Sequence, residues 1–120
     1  MAATIPDEFL VRVAEKFRML ADPTRLSILR ALTTGEKSVG TVVSETGQNQ
    51  ANVSKHLKLL AETGMVLRRK EGLQVFYSLG DPLIEQLCEL VCTSIVREAE
   101  SQVEANRKML KTWRGKRGTG

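Results

Sequence analysis

Residues 38–79 read SVGTVVSETGQNQANVSKHLKLLAETGMVLRRKEGLQVFYSL, and the order of periods within them decides the fold. Ser38 stands where a helix cap belongs, ahead of Val39, Val42 and Val43 at helical spacing. Gly47 ends that short helix, and Gly47-Gln48 make a tight turn. Asn49 then caps a second helix, on which Val53, Leu57, Leu60 and Ala61 share one face until Gly64 stops it. Helix, short glycine turn, helix is the helix-turn-helix pattern. After Gly64 the period changes. Residues 65–70 (MVLRRK) and 73–79 (LQVFYSL) are short runs rich in β-branched and aromatic residues on either side of Glu71-Gly72, which predicts a hairpin. Its tip carries Arg68, Arg69 and Lys70.

Upstream, Leu10, Val13, Ala14, Phe17, Leu20 and Ala21 make an apolar stripe that predicts a first helix from about Asp7 to Ala21. Asp22 caps the next helix and Pro23 takes its first position. Leu26, Leu29 and Leu32 are expected inward, with Gly35 past the end. Downstream, Asp81-Pro82 repeats the cap-and-proline opening. The last helix is expected over about residues 82–112, roughly 45 Å at 1.5 Å per residue. Its apolar arc of Leu83, Ile84, Leu87, Leu90, Val91 and Ile95 is wider than one small core absorbs, which points to a partner chain. The expected organisation is one mainly α domain over residues 1–113, with a small β-hairpin. A basic Gly-rich tail over 114–120 is expected to be disordered.

Composition restricts the function. The 120 residues are 42% hydrophobic and 27% charged, as in one soluble globular domain. No apolar run approaches the ~18–20 residues of a membrane span, and the first residues lack a secretory signal pattern. A cytoplasmic location with reduced thiols is the expectation. Aromatics are 4%, too few for a base-stacking platform. With one His, no Gly-rich phosphate loop and no nucleophile constellation, the chain offers no set of catalytic roles, and no enzyme is expected.

The net charge of +4 is unevenly placed. Residues 48–80 carry +3 and residues 81–106 carry −5, so one segment suits a polyanion and the next does not. On the outer side of the helix after Gly47 lie Gln50, Asn52, Ser54, Lys55 and Lys58. Amide side chains read adenine edges in a major groove, and lysine reaches guanine or phosphate. A basic hairpin beside them reaches the neighbouring backbone, which is the winged-helix arrangement. The expected partner is double-stranded DNA. The alternatives are a winged-helix module for protein contact and a thiol- or metal-handling protein without DNA function; both leave the cations of helix and hairpin unexplained.

FRMLADPTRLSILRAL (17–32), QANVSKHLKLLAETGMV (50–66) and RRKEGLQVFYSL (68–79) together resemble the ArsR/SmtB family of bacterial winged-helix repressors. The resemblance covers about residues 9–95. It implies a homodimer built on the first and last helices, which binds a palindromic operator and leaves it when an inducer binds. It also implies that Gln50, Asn52, Ser54, Lys55 and His56 face DNA. From their charge, Lys55, Lys58 and the hairpin's Arg68, Arg69 and Lys70 are expected to supply general affinity.

The chain departs from the family where inducers bind. Arsenic sensors carry Cys-x-Cys on the third helix, and the matching Ser38 and Gly40 cannot hold a soft metal. Zinc sensors carry Asp-x-His, whereas Asp81 is followed by Pro82 and Leu83. The second helix lacks the cysteine of the persulfide sensors. No cofactor is expected with certainty. Cys88 and Cys92 remain, four residues apart on one face of the last helix. Their Cβ atoms stand ~5–6 Å apart in a helix, too far for a disulfide wanting ~3.5–4.5 Å. They are either packing groups in a helix interface or a site for a thiophilic metalloid, metal or oxidant. His56 sits at the border of the inner and outer faces, where DNA contact or packing outweighs a sensing role.

Overall fold

The computed structural model describes residues 4–118. In chain order the elements are α1 (Asp7–Leu20), α2 (Pro23–Leu32), β1 (Lys37–Ser38), α3 (Val39–Thr46), α4 (Gln50–Glu62), β2 (Val66–Glu71), β3 (Gln74–Leu79) and α5 (Leu83–Gly118). The architecture is mainly helical, with a small antiparallel sheet in the order β1-β3-β2.

Local chemistry sets the helix ends. Asp22 Oδ1 accepts from the Thr24 and Arg25 amides at 2.8 and 3.3 Å, and Pro23 opens α2. Ser38 and Asn49 cap α3 and α4 through the Thr41 and Asn52 amides. Gly47 closes α3 with φ 69°, a left-handed position that glycine adopts freely. At the end of α4 the Gly64 amide bonds Ala61 O and the Met65 amide bonds Leu60 O. This Schellman pairing buries Met65 beside Leu60 and aims the chain into β2.

The sheet pairs Val66–Glu71 with Gln74–Leu79 in register, from Val66 opposite Leu79 to Glu71 opposite Gln74. The turn is therefore Gly72-Leu73, one residue beyond the predicted Glu71-Gly72. β1 is a strand that the sequence reading lacked: Lys37 pairs with Tyr77 and Ser38 with Phe76. Gly80 passes so close to the α4–β2 link that a Cβ there would lie 2.2 Å from Gly64 O, which restricts the position to glycine.

The chain divides into two compact units, one through Ile84 and one from Glu85 onward. The first contains the core: Ile28, Leu29, Leu32, Val42, Val53, Leu57, Leu60, Met65, Val66, Tyr77 and Ile84. α2 is rotated from the expected face. Ile28 is buried and Leu26 exposed, because Arg25, Ile28, Leu29 and Leu32 form the inward row. The α1 stripe closes onto the core only at its end, through Met19 and Leu20, while Leu10, Val13 and Phe17 stay exposed.

The second unit is the rest of α5. The helix continues to Gly118, where a disordered tail from residue 114 was expected. A single interior glycine, Gly115, costs only ~1 kcal/mol against a long helix that propagates cooperatively. Thr119 and Gly120 lie outside the described residues.

Candidate nucleic-acid interface

α4 divides cleanly into two faces. Val53, His56, Leu57 and Leu60 are buried, while Gln50, Ala51, Ser54, Lys55 and Lys58 are exposed. Asn52 is half-buried, and its Nδ2 donates to Gln48 Oε1 at 3.4 Å. Gln48 therefore belongs to the polar group at the start of α4, although the sequence reading saw only a turn residue. A polar side chain just ahead of a cap was the available signal.

His56, at the border of the two faces by spacing and facing DNA by the resemblance, is buried and points inward. Arg25 Nη1 lies 3.4 Å from its Nδ1. Arg25 also donates from Nε to Met19 O at 2.8 Å and from Nη2 to Arg18 O at 3.2 Å, and pairs with Asp22 at 3.5 Å. One guanidinium thus joins the end of α1, the start of α2 and the inner side of α4. Partial desolvation pushes the Asp22 carboxyl up, but the Arg25 and Thr24 amides and the neighbouring positive charge outweigh it and hold the group below its ordinary value. The position of His56 suits packing and helix placement rather than contact with a groove.

The hairpin's three cations also separate. Alternation along β2 puts Arg68 and Lys70 on one face and Arg69 on the other. Arg69 is already engaged. It grips Glu36 with two nitrogens at 2.7 and 3.0 Å and Glu71 with the third at 2.6 Å. Its guanidinium also lies 4.8 Å from the Phe76 ring centre. The hydrogen bonds from Arg69 hold Glu36 below the ordinary carboxylate range, and its two carboxylates push Arg69 further up. Arg69 ties the hairpin to the segment before β1. Among the described residues, Lys55, Lys58, Arg68 and Lys70 are exposed and carry no ion pair.

A family model described as a helix-turn-helix domain matches residues 20–69. The chain is 39% identical over 88 residues to a probable mercury resistance operon repressor of Streptomyces lividans, covering 73% of this chain and 70% of that one. It is similar in structure to a homodimeric winged helix-turn-helix domain of Mycobacterium bovis, described as a possible ArsR-family regulator. There the TM-score is 0.69 at 31% identity, over 82% of this chain and 94% of that fragment. The chain belongs to the ArsR/SmtB family. The crystal structure of the antimony-specific transcriptional repressor AntR is a further neighbour, with TM-score 0.71 and 28% identity over 82% of this chain and 88% of that one. Like other members, this ArsR/SmtB protein is a transcription regulator, which is not an enzyme class.

The family's inducer chemistry has few ligands to work with here. Cys88 is half-buried and Cys92 exposed, and both thiols are free. Burial pushes the Cys88 thiol up, and the neighbouring Cys92 adds to this. Among the described residues no group of three or more His, Cys, Asp or Glu side chains is placed to hold a metal ion. None of the described helices is long and apolar enough to cross a membrane.

Proposed function

We propose that this ArsR/SmtB protein is a cytoplasmic repressor that binds a palindromic operator as a homodimer. In this reading α4 enters the major groove and the β2–β3 hairpin lies on the neighbouring backbone. The observation that carries it is the cation pattern: Lys55, Lys58, Arg68 and Lys70 are exposed without carboxylate partners among the described residues, beside the outward Gln50 and Ser54 and the helix-start Asn52. Phosphate contacts supply affinity and the amide and hydroxyl groups supply sequence preference. Arg69 acts by fixing the hairpin, and His56 by fixing α4.

The exposed Phe9, Leu10, Val13 and Phe17 of α1, with Leu90, Val91 and Ile95 of α5, support a two-chain assembly. Two-fold symmetry then sets the two α4 helices about 34–36 Å apart, one DNA turn. The test is titration of duplex DNA from the protein's own promoter region at several salt concentrations. The expected result is binding stronger than to random duplex, with log affinity falling linearly with log salt. Equal affinity for random duplex sinks the operator reading.

The same reading assigns Cys88 and Cys92 to the inducer, a thiophilic metalloid or metal or a thiol oxidant. Soft thiolates select soft ions, and two on one chain are too few to hold one, so further ligands come from the second chain. A coupling of ~1–3 kcal/mol would weaken operator binding about 5–150-fold. Arsenite, cadmium and a persulfide donor are to be tested on the native protein and on Cys88→Ser/Cys92→Ser. A response that survives the double substitution, or no response at all, removes the cysteines from the mechanism.

A further inference from the structure

α5 changes sign part-way along its length. Residues 81–106 carry −5, whereas residues 107–117 hold Arg107, Lys108, Lys111, Arg114, Lys116 and Arg117 with no Asp or Glu. At about 100° per residue, Arg107, Lys111 and Arg114 fall within about 60° of one another around the helix, and Lys108 lies about 60° further on. All four side chains are exposed. No apolar residue interrupts their arc, because Leu110 and Trp113 lie on another side, Trp113 on that of Ile95. Two ordinary reasons for cations on a helix do not account for them. The helix dipole favours positive charge only in the last turn, and Lys111 and Lys108 stand about two and three turns before Gly118. Carboxylate pairing accounts only for Arg107, which meets Glu104 across an exposed turn. Lys108, Lys111 and Arg114 have no ion pair among the described residues. Lys111 instead has Arg107 four residues before it, and Lys108 and Arg114 three residues away on either side. Such like-charge neighbours weaken a helix unless an external anion offsets them.

We infer that Arg107, Lys108, Lys111 and Arg114 form a further contact for the phosphate backbone of duplex DNA, carried by the second unit and independent of base sequence. The choice of DNA as the polyanion rests on the operator reading above. Arg107 to Arg114 covers about 10.5 Å of helix, a length in which one strand of a duplex presents about three phosphates. Lysine and arginine heads reach such a row without touching base edges. An anionic lipid surface fits this arc less well. A helix lying on a bilayer buries its apolar side, and the side with Trp113 and Ile95 is the one that the proposed homodimer would cover. The acidic stretch ahead of Arg107 repels a polyanion, so the contact is confined to about the last three turns of α5.

The test compares the full native chain with a triple variant, Lys108→Gln/Lys111→Gln/Arg114→Gln, on promoter duplex and on random duplex over a range of salt. Glutamine keeps the helix propensity and removes the charge. The slope of log affinity against log salt is expected to fall by about 2–3 for each chain that engages DNA, equally on both duplexes. The preference for promoter over random duplex should stay within about twofold of the native value. A charge-keeping variant, Lys108→Arg/Lys111→Arg, should retain the native slope. An unchanged slope in the triple variant overturns the contact, and a slope lost on promoter duplex alone overturns its independence of sequence. Vesicles of phosphatidylglycerol and phosphatidylcholine form the second arm. Vesicle binding that the triple variant loses, with the DNA slope unchanged, makes anionic lipid the occupant and overturns the inference. The operator reading fails separately: equal native affinity for both duplexes removes it, while a slope loss in the triple variant still upholds the contact on α5.

Discussion

α4 and α5 are both amphipathic, yet they fulfil their apolar faces in different ways. In α4 the row Val53, His56, Leu57 and Leu60 is covered by its own chain, and the other side is left polar. In α5, Ile84 joins the core, whereas Leu90, Val91, Ile95, Val96 and Val103 are exposed. α4 gains stability within one chain and leaves its polar face open for the recognition proposed above. α5 leaves apolar surface exposed, and in the proposed homodimer a second chain would cover it, so its stability would depend on association. The width and length of the apolar pattern distinguish the two cases. A single narrow stripe over 13 residues fits a small core, and apolar residues spread along a 36-residue helix do not.

The strongest way to break this comparison is to compare core and surface substitutions across protein concentrations. Leu57→Ala removes a fully buried side chain and is expected to cost about 2–5 kcal/mol at any concentration. Val91→Asp should leave the fold of the first unit intact and act through association. Its unfolding midpoint should fall below that of the native protein at high concentration and converge with it on dilution. Denaturant unfolding from nanomolar to high micromolar chain concentration checks both. If Val91→Asp lowers the midpoint equally at all concentrations, α5 is stabilised within its own chain and the contrast fails.

A smaller effect sharpens the contrast within the hairpin. Arg68→Ala and Lys70→Ala should each lower the slope of log affinity against log salt by about 0.9, because each would remove one phosphate contact of the proposed complex. Arg69→Ala should leave the slope nearly unchanged, since its three nitrogens are held by Glu36 and Glu71. Affinity can still fall as the hairpin loosens. Fluorescence anisotropy on operator DNA over a tenfold salt range separates the cases. A slope loss for Arg69→Ala equal to the other two would put that side chain on DNA.

Most of the first unit was legible because its signals are local. Asp22, Ser38 and Asn49 cap helices within three residues, and Gly47 and Gly64 end them. What stayed hidden depends on contacts distant in sequence. β1 is two residues long, without apolar alternation, and exists through its pairing with Phe76 and Tyr77. The counter-ion of Arg69 is Glu36, 33 positions earlier. The inward row of α2 begins with Arg25, a charged residue that an apolar-stripe reading passes over, so Leu26 took the place of Ile28. His56, a border residue by spacing with DNA contact and packing both open, takes the packing position for a reason equally distant in sequence. It occupies a core position of α4 and is satisfied there by Arg25, which no spacing within α4 reveals. The polar outer face and the unpaired cations were legible. Which of the three hairpin cations is sequestered was not.

The smallest expected effect concerns the pH dependence of the Arg69 tie. Glu36 lies below its ordinary value of 4.5 in the folded chain, chiefly through the hydrogen bonds from Arg69. A carboxyl depressed by folding contributes stability that is full above its unfolded value and fades as pH falls through the folded one. Glu36→Gln removes that titration while keeping a similar shape. The native protein should therefore exceed the variant by a constant margin between about pH 5 and 8, and the two should converge as pH drops below about 4.5. Exposure and salt screening keep the margin small, so low ionic strength is needed to see it. The hairpin carries the change, and the buried row of α4 contains no carboxylate. Convergence should therefore appear in amide exchange of β2 and β3 before it appears in α4. If α4 loosens first, or if the margin persists unchanged to pH 3, the Glu36–Arg69 pair does not hold the hairpin.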